Sequence, residues 1–432
     1  MRISVIGCGY LGAVHAAAMT ALGHDVVGID VDARKIEMLA AGKAPFHEPG
    51  LNEILTDALA SGRLRFSTDL ADAADATVHF VAVGTPQAED GSAHVGFVDD
   101  AIAALLPYLS ADSLVVGKST VPVGTAARLA ESIEAAGARL AWNPEFLREG
   151  FAVRDTLEPD RIVYGVRPGD TRAEDMLDAV YATALAAGTP RIVTDFATAE
   201  LVKVSANAFL ATKISFINAM AEIAEVTGAD VTQLADAIGY DARIGRRFLN
   251  AGVGFGGGCL PKDIRGFVAR ADQLGVGDSV GFLREVDAIN LRRRERVVTL
   301  AKEALGGDVS GRRIALLGLA FKPDSDDVRD SPALDVGGRL AALGARVIAT
   351  DPHAIETARA VQPALEYVQS TTEALRDAEL VLVLTEWREF QSLDPVAAAA
   401  LVANPIVIDG RNCLPDDEWR AAGWDYRALG RG

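Results

Sequence analysis

The sequence predicts an α/β fold with two doubly wound sheet domains and a helical section between them. Three observations carry this. Short β-type runs alternate with Ala-rich helical stretches at both ends of the chain, a three-glycine turn follows the first run, and a long apolar stretch free of Gly and Pro occupies the middle. The length of 432 residues is enough for roughly two to three domains. Their expected bounds are 1–195, 196–305 and 306–432.

The opening reads as strand, turn and helix: Arg2 to Ile6 is a β-type run, Gly7-Cys8-Gly9-Tyr10-Leu11-Gly12 the turn, and Ala13 to Leu22 helical. Asp25 to Asp30 gives a second strand, and Thr77 to Val83, Leu114 to Lys118 and Arg139 to Trp142 continue the alternation. This is the pattern of a Rossmann-like parallel sheet. Phe196 to Thr227 carries apolar residues on several faces and predicts one long, largely buried helix. Val231 to Ile238 and Leu283 to Leu305 extend the helical section, with the glycine-rich stretch Gly252 to Gly258 between them. From Arg312 the opening theme returns, with β-runs at Arg313 to Leu317, Arg346 to Asp351, Leu380 to Leu384 and Pro405 to Asp409. The turn after the first of these, Gly318 to Pro323, lacks the three-glycine spacing, so one dinucleotide site is expected rather than two. The cleft between two α/β domains is the expected place for a ligand.

Composition narrows the partners. Lys plus Arg is 42 against 60 for Asp plus Glu, a net charge of −18 that repels nucleic acid and anionic membrane surfaces. An anionic small ligand must therefore meet a local cluster of positive groups. Cys8, Cys259 and Cys413 are too few for a disulfide framework, and no Cys or His pair has zinc-ligand spacing, so a reducing, cytoplasmic setting without a metal is expected. The uncharged run Ile3 to His24 imitates a secretory signal, but Gly7, Gly9, Gly12 and His15 interrupt it.

The glycine turn gains weight from its context, because Asp30 ends the next strand. Gly7 permits the tight turn, Gly9 lets the backbone approach a pyrophosphate, Gly12 lets helix pack on strand, and the helix N-terminus adds a positive dipole. Asp30 can accept both ribose hydroxyls and would repel a 2′-phosphate, which favours NAD over NADP.

Cys259 lies in Gly254-Phe255-Gly256-Gly257-Gly258-Cys259-Leu260-Pro261-Lys262-Asp263. A cysteine is usually a small buried hydrophobe, but here glycines allow close approach, Lys262 favours a thiolate and Asp263 can handle water or a proton. Lys203 and Asn207, four apart on the long helix, share a face, the lysine being either a snorkelling edge residue or a functional cation. Lys118 to Thr125 and Asn143 to Gly150 follow predicted strands, where doubly wound sheets bind ligands, although either could be turn chemistry alone. Arg243, Arg246, Arg247, Lys322, Arg329 and Arg411 are either solvated surface or candidates for a diphosphate.

Taken together, the glycine turn, Ser119 to Thr125, Asn143 to Gly150, Lys203 to Asn207, Gly254 to Asp263, and Phe321 to Asp324 with Arg329 resemble the nucleotide-sugar 6-dehydrogenases from Met1 to about Arg411. The resemblance implies a four-electron oxidation in one site: UDP-glucose, two NAD and water give UDP-glucuronate and two NADH. It implies that Cys259 is the nucleophile, passing through a thiohemiacetal and a thioester. Lys203 would stabilise oxyanions, Asp263 and Thr120 would hold or activate water, Glu145 would assist proton transfer, and Asn207 would position the sugar. For NAD the implied positions are Gly7, Gly9, Tyr10, Leu11, Gly12, Asp30, Lys35, Thr85, Thr120, Glu149, Lys262 and Arg329. For the nucleotide sugar they are Glu145, Phe146, Leu147, Arg148, Lys203, Asn207, Phe248, Leu249, Asn250, Ala251, Gly252, Gly256 and Lys322, with Arg411 among the candidate cations. Arg243 would reach a neighbouring subunit's site and the long helix would form the core of a homodimer. Gly258 and Leu260 stand where the family commonly has serine and phenylalanine, so GDP-mannose, a UDP-N-acetylhexosamine or another NDP-glucose stays open as substrate. A β-hydroxyacid dehydrogenase would also use a Lys-x-x-x-Asn helix, but it has no work for Cys259.

Overall fold

The computed structural model describes residues 1–431. The chain forms two compact units, the first from Met1–Ala206 with Ala269–Gly275, the second from Asn207–Val268 with the remainder from Val276. The division falls inside the long helix Phe196–Thr227, whose bounds agree with the sequence reading.

In the first unit eight strands make one sheet: β1 (Arg2–Ile6), β2 (Asp25–Ile29), β3 (Leu64–Ser67), β4 (Val78–Val81), β5 (Leu114–Gly117), β6 (Arg139–Trp142), β7 (Ile162–Gly165) and β8 (Arg191–Thr194), in the order β3-β2-β1-β4-β5-β6-β7-β8. The chain reverses its direction of growth between β1 and β4, the switch point at which such sheets bind ligands. Register brings Ile6 beside both Ile29 and Val81, so the carboxyl ends of β1, β2 and β4 are level where the glycine turn begins. The sheet is not wholly parallel. Trp142 of β6 pairs antiparallel with Gly165 of β7, and β7 and β8 then run parallel to each other.

In the second unit β9 (Arg313–Leu317), β10 (Arg346–Thr350), β11 (Glu366–Tyr367), β12 (Leu380–Val383), β13 (Ile406–Asp409) and β14 (Asp425–Ala428) form a parallel sheet of the same winding, β11-β10-β9-β12-β13-β14. Central strands such as β4, β5 and β12 are buried at every residue, as expected when helices cover both faces. Local chemistry sets helix starts. Asp32 accepts from the backbone of Arg34 and Lys35 ahead of Ala33–Ala40, and Ser331 caps Pro332–Ala342, which carries proline where no amide hydrogen is needed.

Three expectations are corrected. The first helix is Tyr10–Ala21, not Ala13 to Leu22, so Tyr10, Leu11 and Gly12 belong to its first turn. The glycine-rich stretch ends at Cys259, and a helix the composition did not reveal, Leu260–Gln273, carries Lys262 and Asp263. The long helix is not largely buried: Phe209, Phe216, Ile223 and Val226 are exposed in the single chain, because one apolar face lacks a cover.

Candidate active site

The glycine turn has the geometry a dinucleotide requires. Gly7 sits at φ +89°, where a Cβ would also press on Val83, and its amide donates to Ile29 O at 2.8 Å. A Cβ on Gly12 would collide with the Gly7 carbonyl, whereas one on Gly9 would meet nothing, leaving open space at the N-terminus of Tyr10–Ala21. Asp30 accepts from the amide of Cys8 at 2.8 Å and pairs with Lys35 Nζ at 2.8 Å. These residues fit NAD. The matching acid of the second sheet, Asp351, is already filled: it accepts from the amides of Leu319, Ala320, His353 and Ala354 and from the Trp387 indole.

Around the turn, loops after β4, β5 and β6 hold the remaining first-unit candidates. Thr85 donates its hydroxyl to Thr120 O at 2.8 Å, and Ser119 to Val83 O at 2.7 Å, locking the two loops together. After β6, Glu145 takes the amides of Phe146 and Leu147 on one oxygen, at 2.7 and 3.0 Å. Its other oxygen pairs with Lys118 Nζ at 3.0 Å. Burial alone would raise the Glu145 carboxyl, but the Lys118 ammonium overrides it and, with Lys203 adding a lesser pull, holds it below the usual carboxylate range. Lys203 Nζ stands 5.5 Å from the Phe146 ring. Arg148 is committed to Asp155 at 2.6 Å, and Leu147 packs on the sheet core.

Glu48 is a residue that motif reading missed. It is buried and accepts from Gly150 N at 2.6 Å, Ala152 N at 2.7 Å and the Tyr10 hydroxyl, tying the loop that ends in Glu149 and Gly150 to the glycine turn. Burial, then this carboxylate, pushes the Tyr10 phenol upward. No local spacing announces such a link, because its partners lie 102 and 104 residues away.

In the second unit, Cys259 is exposed and immediately precedes Leu260–Gln273, its carbonyl accepting the Asp263 amide at 2.9 Å. A helix N-terminus favours a thiolate. One turn on, Asp263 is buried, held by Asn207 Nδ2 at 2.6 Å and Lys262 Nζ at 2.6 Å. The glycines before Cys259 are needed for contact: a Cβ on Gly256 would strike the Asp330 carbonyl, and one on Gly258 the Arg329 guanidinium. Phe255 is clasped by Asn290, which accepts from its amide at 2.7 Å and donates to its carbonyl at 2.9 Å.

Other predicted substrate positions are placed less uniformly. Gly252 donates to the buried Asn218 at 2.9 Å and packs against the Gly410 carbonyl, with Leu249 and Ala251 buried beside it. Phe248 is exposed at φ +66°, and Asn250 accepts from Arg246 at 2.7 Å. Arg411 is engaged with the carbonyls of Leu384, Gly254 and Phe321, which makes it a clamp on the glycine stretch. Arg243 is exposed and paired with Asp241 at 2.6 Å, Lys322 Nζ lies 5.4 Å from the Phe321 ring, and Arg329 pairs with Asp327 at 2.7 Å.

Two Rossmann-type sheets, the first with a glycine turn and an acid just after its second strand, define a dinucleotide-dependent dehydrogenase of the two-sheet class. Residues 1–185, 197–292 and 315–416 match the NAD binding, central and UDP binding domains of the UDP-glucose/GDP-mannose dehydrogenase family. The chain is 42% identical to a UDP-glucose 6-dehydrogenase of Bacillus subtilis, across 100% of this chain and 98% of that one. It is 41% identical to a UDP-glucose 6-dehydrogenase of Rhizobium meliloti, across 100% of both. Among solved structures, a UDP-glucose dehydrogenase from Pyrobaculum islandicum superposes with a TM-score of 0.90 at 41% identity, covering 100% of this chain and 98% of that one. This chain belongs to the UDP-glucose/GDP-mannose dehydrogenase family and carries its NAD binding domain. No helix among the described residues is long and apolar enough to cross a membrane.

Proposed function

We propose that this chain oxidises UDP-glucose at C6 to UDP-glucuronate, consuming two NAD and one water in four-electron chemistry. The observation that carries the reading is Cys259 exposed at the start of Leu260–Gln273 with Asp263 one turn on, alongside full-length similarity to UDP-glucose 6-dehydrogenases. NAD, when bound, supplies the hydride acceptor for each of the two oxidations. Gly7, Gly9, Tyr10, Leu11 and Gly12 cradle its pyrophosphate, Asp30 and Lys35 its ribose, and Thr85, Thr120, Glu149, Lys262 and Arg329 complete the site.

The chain's own residues do the rest. The Cys259 thiolate adds to the carbonyl carbon of the C6 aldehyde, forming one C–S bond and an oxyanion that takes a proton as the thiohemiacetal. The second oxidation converts this carbon to a thioester; water adds to it, and the C–S bond breaks to return the thiolate and release the carboxylate. Lys203 stabilises the oxyanions, Asp263 and Thr120 orient or activate water, Glu145 accepts or relays a proton, and Asn207 positions the sugar. Glu145 to Arg148, Phe248 to Gly252, Gly256 and Lys322 bind the nucleotide sugar, while Arg411 supports the glycine stretch. The covalent link explains how two oxidations proceed without release of an aldehyde.

The division 1–195, 196–305 and 306–432 assigns NAD binding, the helical catalytic and dimerisation section, and nucleotide-sugar binding. A homodimer through the exposed face of Phe209, Phe216 and Ile223, with Arg243 serving the neighbouring site, accounts for apolar side chains that one chain leaves in water. A reducing compartment such as the cytoplasm suits a reaction that needs Cys259 in its reduced form.

The test measures NADH formed per sugar consumed on a panel including UDP-glucose, GDP-mannose and a UDP-N-acetylhexosamine, with products weighed. Two NADH and a carboxylate from UDP-glucose, both lost in Cys259→Ala, are expected. Undiminished acid formation by Cys259→Ala would overturn the covalent path, and turnover of a different sugar alone would overturn the substrate.

A further inference from the structure

Lys118 follows β5 and has a setting unusual for a lysine. It is 3% exposed. Its ammonium has three hydrogens and three acceptors: Glu145 Oε2 at 3.0 Å, Asn143 Oδ1 at 3.0 Å and the Tyr181 hydroxyl oxygen at 3.3 Å. The rings of Phe80 and Tyr181 lie 5.7 and 5.9 Å from it. The Tyr181 hydroxyl donates to Asn143 Oδ1 at 2.6 Å, and Asn143 Nδ2 donates to Val163 O at 2.9 Å, so the network is closed on the sheet side. Lys118, Asn143, Glu145, Phe146, Arg161 and Tyr181 line one pocket of the first unit.

Burying an ammonium is unfavourable, and an apolar side chain of similar volume often serves packing as well or better. The arrangement therefore calls for a use of the charge. Glu145 is where that charge is felt. Its Oε1 is fixed by the amides of Phe146 and Leu147, its Oε2 by Lys118, and Lys203 acts on it from the long helix.

We propose that Lys118 is a positioning residue for the dehydrogenase reaction: its buried ammonium keeps Glu145 an anion in one orientation, so that Glu145 meets the reaction as a proton acceptor. The inference rests on the role given to Glu145 under Proposed function. The other groups around the pair do not replace Lys118. His15, on the first helix, is held neutral by burial first and then by Lys118 itself, and Tyr181 keeps its proton in its buried position. Arg161 lies over the Phe146 ring at 3.9 Å, Asp155 is paired with Arg148, and Asp160 lines the same pocket.

Lys118→Met tests this, with Lys118→Met/Glu145→Gln as its control. Without the ammonium, burial is left to raise the Glu145 carboxyl, so the acid limb of kcat is expected to move up by about one to three pH units. Infrared difference spectroscopy of Lys118→Met at neutral pH is expected to show a protonated carboxylic acid band that wild type and the double variant lack. A folded Lys118→Met with neither change overturns the proposal, as does the band without a shift of the limb. If Lys118→Met does not fold, Tyr181→Phe removes one acceptor from the ammonium and is expected to move the limb by a smaller step with KM little changed; an unmoved limb overturns the proposal. The infrared readout needs no substrate, so a wild type inactive on every nucleotide sugar would refute the reading of Glu145 while the band still decided the Lys118–Glu145 relation.

Discussion

Asn207 donates its side-chain amide hydrogen to Asp263 Oδ2 at 2.6 Å, while Lys262 holds the other carboxylate oxygen at 2.6 Å. A carboxylate clamped from both sides points in one direction, as the proton-handling role proposed for Asp263, one turn from the proposed nucleophile Cys259, requires.

Asp263→Asn keeps the shape and removes the base. Its kcat is expected to fall by about 10²–10⁴-fold, the usual contribution of positioned acid–base catalysis, with a thermal midpoint near that of the parent. Steady-state NADH formation checks this, and a fall below tenfold would take Asp263 out of proton handling.

The role proposed for Asp30 is to separate NAD from NADP by charge; its carboxylate is 9% exposed and set by Cys8 and Lys35. In Asp30→Ser the repulsion of a 2′-phosphate is gone and Lys35 is released toward it. The kcat/KM ratio of NAD to NADP is expected to drop by about tenfold or more, roughly 1.4 kcal/mol of discrimination. An unchanged ratio would place the discrimination elsewhere.

Asn290 governs the loop that carries Cys259, through both backbone groups of Phe255. Arg294, one turn on, adds a bond of 3.2 Å to the same carbonyl and pairs with Asp330 at 2.8 Å. Asn290→Ala leaves a buried amide short of its partner, at about 1–3 kcal/mol for such a group. A lowered thermal midpoint is expected together with an altered rate of Cys259 alkylation. Alkylation at the parent rate would show that the clasp serves folding only.

Stability of the first unit is expected to fall on mild acidification. Burial pushes His79 down to about 4, and it lowers His15 and His24 as well. The folded values lie below the unfolded one of about 6.5, so between them the unfolded chain binds protons that the folded chain refuses. The stabilisation is whole above pH about 6.5 and is lost as pH falls, with a slope of up to about 1.4 kcal/mol per pH unit for each such histidine. His15→Met is expected to flatten the dependence of the thermal midpoint on pH; a parallel curve would contradict this.

What the sequence determined by itself is what depends on neighbours in the chain. The runs at β1, β2, β4, β5, β6, β9, β10, β12 and β13, the long helix and the glycine turn were legible from periodicity and turn chemistry. Strands β3, β8, β11 and β14 were not: they are the four sheet edges, short and partly polar, where one side faces water and charged residues break the apolar run; the apolar, fully buried run of β7 was passed over as well. The helix Leu260–Gln273 was hidden by a first turn containing proline and by a charged composition.

Tertiary structure alone decided which polar groups meet. Glu48 reaches Gly150 across 102 residues, Lys118 reaches Tyr181 across 63, and Asn290 reaches Phe255 across 35. Their bonds form only once the sheets and helices have closed those loops and removed water. Residue types near the chemistry can therefore be read from motifs, whereas the groups that orient them are fixed by packing over distances at which the chain holds no local signal.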